Sequence, residues 1–126
     1  MAYGDVGGVV TELVITCKTK SSGTVAIAAG DVVKLTGAYV VDNGTADEDV
    51  VFGQALTPAD TNSAPISVKV RGVCVFTYTG TAPSVNGVAG IVASATDGKV
   101  KAPASGNGRG INLKTNAGDT TVHVLL

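Results

Sequence analysis

The sequence predicts an all-β protein: a small β-sandwich or partly open β-barrel of about nine or ten short strands, preceded by an extended arm. Three observations carry this. No window places apolar residues at i, i+3, i+4 and i+7 over three turns, so no amphipathic helix is encoded. Val, Thr and Ile instead collect in short runs separated by turn residues every 8–14 positions. Asn-Gly pairs recur at Asn43-Gly44, Asn86-Gly87 and Asn107-Gly108, and both residue types tolerate the positive φ of tight hairpin turns.

Residues 1–12 hold Gly4, Gly7 and Gly8 among isolated Tyr and Val and show no period, which reads as an extended N-terminal arm. Residues 13–126 form the single all-β domain, since 126 residues supply one core comfortably and two poorly. Leu13 to Lys18 is the first strand, and Thr19 to Gly23 turns the chain. Thr24 to Ala28 alternates, and Ala29-Gly30-Asp31 leads into the strand Val32 to Thr36. Tyr39 to Val41 is a short partner, Val50 to Leu56 a strand with a central glycine, and Thr57 to Pro65 a polar loop with two prolines.

Ile66 to Thr79 follows, the longest run of strand-type residues, and it reads as the central strand. Up to Arg71 it alternates, with Ile66, Val68 and Val70 on one side and Ser67, Lys69 and Arg71 on the other. Beyond Gly72 both sides are apolar: Val73 and Val75 on one, Cys74, Phe76 and Tyr78 on the other. A strand dry on both faces is sandwiched between other elements of the chain, or between its own domain and a partner. Lys69 and Arg71 read as gatekeepers against stray strand pairing, so Lys69→Ala is expected mainly to lower solubility. A charge at Val75 is expected to harm folding or assembly. Val88 to Ala93, Lys99 to Ala102, Arg109 to Lys114 and Thr120 to Leu126 complete the set, with Val122, Val124 and Leu126 in one phase and His123 in the other.

The composition excludes several function classes. Net charge is −1 with no concentrated basic patch, which argues against direct nucleic-acid binding. No apolar run approaches the ~20 residues of a membrane-spanning helix. Charged residues make up only 15%, too few to coat the surface of an ordinary domain, so either Thr, Ser, Asn and Gly cover that surface or other subunits occupy much of it, or both. Met1 to Asp5 lacks the pattern of a secretory signal, and Cys17 and Cys74 are expected as reduced, buried thiols.

A search for chemistry returns nothing that converges. His123 is the sole histidine and has no second ligand for a metal. Asp42, Asp47, Glu48 and Asp49 do not match a calcium-loop template and read as a solvated loop. Gly106 to Gly110 lacks the spacing and the lysine of a phosphate loop. No enzyme activity, cofactor or metal is expected.

The order of the short motifs resembles the capsid decoration, or cement, proteins of tailed bacteriophages. The residues that carry it are Gly30-Asp31-Val32-Val33-Lys34-Leu35, Val51-Phe52-Gly53-Gln54-Ala55, Val68-Lys69-Val70-Arg71-Gly72-Val73, Gly98-Lys99-Val100 and Val122-His123-Val124-Leu125. The resemblance spans roughly residues 13–126; the spacer Thr57 to Pro65 carries prolines where the family often has a glycine. It implies a non-enzymatic protein made in the host cytoplasm that binds the outer surface of the assembled head, with the major capsid protein and its own copies, as a homotrimer, for partners. Tyr3, Val6, Val9 and Val10 of the arm are then the expected shell or neighbour contacts, joined by Val73, Val75, Phe76 and Tyr78 of the central strand. The competing reading is a carbohydrate- or receptor-binding β-module of a fibre or adhesin, which would display aromatic side chains on one face; Tyr3, Tyr39 and Tyr78 lie on separate elements.

Overall fold

The computed structural model describes residues 12–86 and 88–126, and the described chain is all-β. Its strands are β1 (Leu13–Thr19), β2 (Val32–Gly37), β3 (Val40–Asp42), β4 (Gly53–Ala55), β5 (Pro65–Arg71), β6 (Val73–Thr77), β7 (Val92–Ala93), β8 (Val100–Lys101), β9 (Ile111–Asn116) and β10 (Thr121–Leu125). Five of them close into a small barrel in the order β1-β3-β2-β4-β5, in which β1 and β3 run parallel. Beside it lie the three-stranded sheet β6-β10-β9 and the hairpin β7-β8.

The run Ile66 to Thr79 is therefore two strands in two sheets rather than one central strand. Gly72, at φ +114°, turns the chain out of the barrel, a conformation that L side chains rarely adopt. Even-numbered positions stay inward on both sides of the turn but enter different cores. Ile66, Val68 and Val70 pack inside the barrel with Cys17, Val25, Ile27, Val33, Val41 and Ala55. Cys74, Phe76 and Tyr78 pack with Val32, Val51, Ile91, Val100, Val122 and Val124 between barrel and sheet.

Two-sided burial belongs to β2 and β4 instead. Val32 and Val33 are adjacent and fully buried, yet they belong to different cores, so β2 is a wall shared by both. All three residues of β4 are buried. Gly53 is required there because a side chain would meet the Lys69 carbonyl at 2.6 Å.

The Asn-Gly pairs do not turn the hairpins. Ala38-Tyr39 joins β2 to β3, with Tyr39 at φ 57°, and Ala117 to Thr120 joins β9 to β10. Asn43 is a buried brace whose Nδ2 donates to the Ala26 carbonyl and to Asp31 Oδ2. Asn86 Oδ1 accepts from the Val88 and Ala89 amides in a loop, and Gly108 lies against the Ile91 backbone. Thr24 to Ala28 forms no strand; Ile27 makes a single bridge to Ala59.

Candidate interaction surface

The three-stranded sheet covers its second core with one face and leaves the other open. Register fixes which side chains share the open face. Val73 stands opposite Leu125, and Leu125 opposite Ile111; Val75 stands opposite His123, and His123 opposite Lys114. A bulge at His123/Val124 adds Leu113 beside this second row. Four of the apolar members keep 40–45% of their area exposed (Val75, Ile111, Leu113 and Leu125), and Val73 is half-buried.

Strand β9 is turned against its own polarity. Ile111 and Leu113 face out, while Asn112 faces in and is almost fully buried. Asn112 Nδ2 donates to the carbonyls of Ser84 (3.0 Å) and Gly90 (2.9 Å), which offsets part of the cost of burying the amide, while its Oδ1 is buried with no partner among the described residues. Thr115 Oγ1, three residues further along the strand, donates to the Pro83 carbonyl. These bonds anchor the loop after β6 beneath β9 and fix the strand's phase.

The two edges of the sheet differ. On β6, the Val73 carbonyl accepts from Lys69 Nζ at 2.8 Å, and the Val75 carbonyl accepts from Gln54 Nε2 at 2.7 Å. Side chains thus fill the ladder positions that a further strand would use. Lys69 also reaches Glu12 Oε1 at 3.3 Å, and its side chain is largely buried, so it is a clamp at the barrel–sheet junction rather than a solvated gatekeeper. Arg109 closes the same junction from the other side. Its guanidinium donates to the carbonyls of Val51, Phe52 and Val70, and burial, followed by the nearby Arg71 charge, lowers its pKa.

Of the residues expected to meet a partner, Val73 and Val75 lie on the open face. Phe76 and Tyr78 lie beneath it, buried in the chain's own core, and offer no surface. Tyr3, Val6, Val9 and Val10 lie outside the described residues. Ile111, Leu113 and Leu125 were not singled out by sequence reasoning. Leu125 was legible, since it shares the phase of His123 and opposes that of Val122 and Val124. The two β9 residues were hidden by an alternation that reads most simply as apolar side chains inward.

Several of the charged groups form ion pairs. Lys20 bonds Asp42 (3.2 Å), Lys34 bonds Asp49 (2.9 Å), and Lys101 meets both Asp47 (2.8 Å) and Glu48 (3.3 Å). A hydrogen bond donated by the Ala46 backbone N–H, then one from the Lys34 ammonium, lowers the Asp49 pKa. Hydrogen bonding to Asp47 raises that of Lys101. No cluster of three metal-ligating side chains occurs among the described residues. Cys17 and Cys74 are free thiols in separate cores, and burial raises the pKa of both. The depressions in the surface are open and mixed in character. One of ≈ 510 Å³ beside Arg109 is lined by Glu48, Val50, Ile91, Ser105 and Asn107; Glu48 Oε1 accepts from the Ala104 amide rather than from Ser105. The open sheet face is therefore the feature of this molecule best suited to an interaction. Comparison with protein-family models gives no match, and no curated protein is significantly similar in sequence.

Proposed function

We propose that this protein is a structural virion component, a decoration or cement protein that binds the outer surface of an assembled tailed-phage head and stabilises it against internal pressure. The observation that carries the reading is the open face of β6-β10-β9, where Val73, Val75, Ile111, Leu113 and Leu125 face solvent while Asn112 is turned inward. A solvated sheet puts its apolar residues on the covered face, so an inverted strand marks a surface meant to be covered. Low charge across the whole chain and the pairing of Asp42, Asp47, Glu48 and Asp49 with lysines agree with a surface that meets protein.

In this role the partners are the major capsid protein and further copies of the chain, in a homotrimer. Three weak shell contacts joined in one trimer gain on the order of 10²–10⁴ in avidity through effective concentration. The amino-terminal arm extends the contact, with Tyr3, Val6, Val9 and Val10 adding apolar area to that of the sheet. The fibre or adhesin reading gains nothing from the side chains on view, because Tyr78 is buried and Tyr39 stands alone on its hairpin.

The test is co-sedimentation with expanded empty heads of the tailed phage whose genome encodes the chain, alongside light scattering of the free protein. The expected result is a trimer that pellets with heads and loses binding when residues 1–12 are removed, with an unchanged circular dichroism spectrum. A monomer that stays in the supernatant with heads and binds immobilised glycans would replace this reading with the competing one.

A further inference from the structure

Backbone bonds along β10 show which groups of β9 remain outside its sheet. Gly72 and Leu126 exchange both backbone bonds, and the Tyr78 N–H donates to the Thr120 carbonyl. The even-numbered residues of β10 therefore point their N–H and C=O groups at β6. The odd-numbered ones, Thr121, His123 and Leu125, point theirs at β9, where their partners are Asn116, Lys114 and Ile111. Asn112 and Thr115 are left pointing theirs away from the sheet. They stand three positions apart rather than two, because the bulge sets Leu113 as an extra residue between them. No bond from another described residue reaches the backbone N–H or C=O of Asn112 or Thr115.

An edge of this kind selects its partner. The barrel strands pair in a ring, and Lys69 and Gln54 fill the carbonyls of β6, which leaves β9 as the open edge of the larger sheets. A regular strand presents its outward groups at every second residue, so it meets Asn112 or Thr115 but not both. An antiparallel strand with the same three-residue spacing meets both, and β9 of a second copy is such a strand. About a two-fold axis between Leu113 and Lys114, Asn112 falls opposite the second copy's Thr115, and Thr115 opposite its Asn112. Each pair exchanges N–H···O bonds. The side chains agree in facing: Asn112 is buried and Thr115 half-buried on the covered side, while Leu113 and Lys114 are both exposed. In this register Asn116 falls opposite the second copy's Ile111. Its chain then turns back through Ala117 to Thr120 before it meets Ala89 to Ile91, which hold the edge beside Gly108 and Arg109. The loop that Asn112 anchors carries Val85 and Val88, both more than half exposed and so available to the joint.

We infer that β9 pairs antiparallel with β9 of a second copy, Asn112 against Thr115, and joins two three-stranded sheets into one of six. The open apolar face stays uncovered and grows. At ~4.8 Å between strands it widens from about 10 Å to about 24 Å, with Ile111 and Leu113 of both chains at its centre. One short strand pair buries little area, so the contact is weak, with a Kd of roughly 10–100 µM. The two copies of Lys114 lie close across the axis on the exposed side, so added salt strengthens the pairing. This goes beyond the functional reading and does not depend on it, because two free chains suffice. Where that reading also holds, a two-fold contact cannot close a ring of three. It then ties together chains of neighbouring trimers and makes occupancy of the head cooperative.

The experiment is sedimentation equilibrium of the full chain from micromolar to millimolar concentration, beside two variants. Thr115→Pro removes the outward N–H and spares the β9–β10 ladder, because that N–H points away from β10. Thr115→Val keeps the N–H and loses the same hydroxyl bond to the Pro83 carbonyl. The expected result is a mass that doubles with concentration for the unaltered protein and for Thr115→Val, and does not double for Thr115→Pro. In the unaltered protein the amides of Asn112 and Thr115 should exchange with deuterium about fivefold or more slower at the millimolar end. A mass that never doubles, doubling that persists in Thr115→Pro, or equal exchange of these amides at both ends would overturn the proposal. If Thr115→Pro loses the circular dichroism spectrum of the fold, exchange in the unaltered protein decides alone. Doubling by a protein that leaves expanded heads undecorated would count against the functional reading and not against the pairing.

Discussion

Lys69 and Arg109 each hold backbone carbonyls that no strand reaches, and both act at the junction of barrel and sheet. Lys69→Ala removes the donor to the Val73 carbonyl and frees Glu12, and should cost about 1–2 kcal/mol in urea unfolding. An unchanged midpoint with more precipitation would restore the gatekeeper role. Arg109→Met strips donors from three carbonyls at once and should cost about 2–4 kcal/mol, measured the same way. Neither role could be read from sequence. Alternation tells which side chains share a face, whereas both of these long side chains bend back to carbonyls on elements far along the chain. Asp49 adds a pH dependence. Its carboxyl titrates below its ordinary value of 3.8, so its contribution is full above that value and is lost as pH falls through the lower folded pKa. Asp49→Asn should therefore lower stability near neutral pH and flatten the acid limb of a stability–pH curve, so that the two proteins converge at low pH.

At the scale of elements, one run of fourteen strand-type residues became two strands because of Gly72. The sequence marks this glycine as the place where the pattern changes, and its φ of +114° supplies the reason. Gly72→Ala should cost about 1–3 kcal/mol, from backbone strain and from crowding against Glu12. The all-β class, most strand positions and the outward phase of His123 were legible for a plain reason: period-2 runs and turn residues are local signals. Strand pairing was not, since the Asn-Gly pairs that suggested hairpins serve as braces and loop contacts instead. Strand β9 shows the limit most sharply. Ile111, Asn112 and Leu113 alternate as a strand should, but period 2 does not say which face is the core. Here the Ser84 and Gly90 carbonyls decide it by accepting from Asn112.

For the molecule as a whole, the two cores meet across β2, with Val32 in one and Val33 in the other, so neither can open without exposing the other's wall. Each core contains one buried thiol. Alkylation of Cys17 and Cys74 across a denaturant series should give one shared transition; separate midpoints would show two independent units. A molecule braced this way is a firm platform for its one inverted face, and the candidate surface was only half visible in the sequence. Val73 and Val75 were found because they extend an apolar run, whereas Phe76 and Tyr78 of that same run fill the core. The measurement that tests the account most directly is co-sedimentation of Leu125→Lys with expanded phage heads, beside the unaltered protein. Leu125 lies on the open face and outside both cores, so the variant should keep its circular dichroism spectrum and melting behaviour yet lose head binding by tenfold or more. Full binding by a folded Leu125→Lys protein would contradict the assignment of this face as the one that meets the shell.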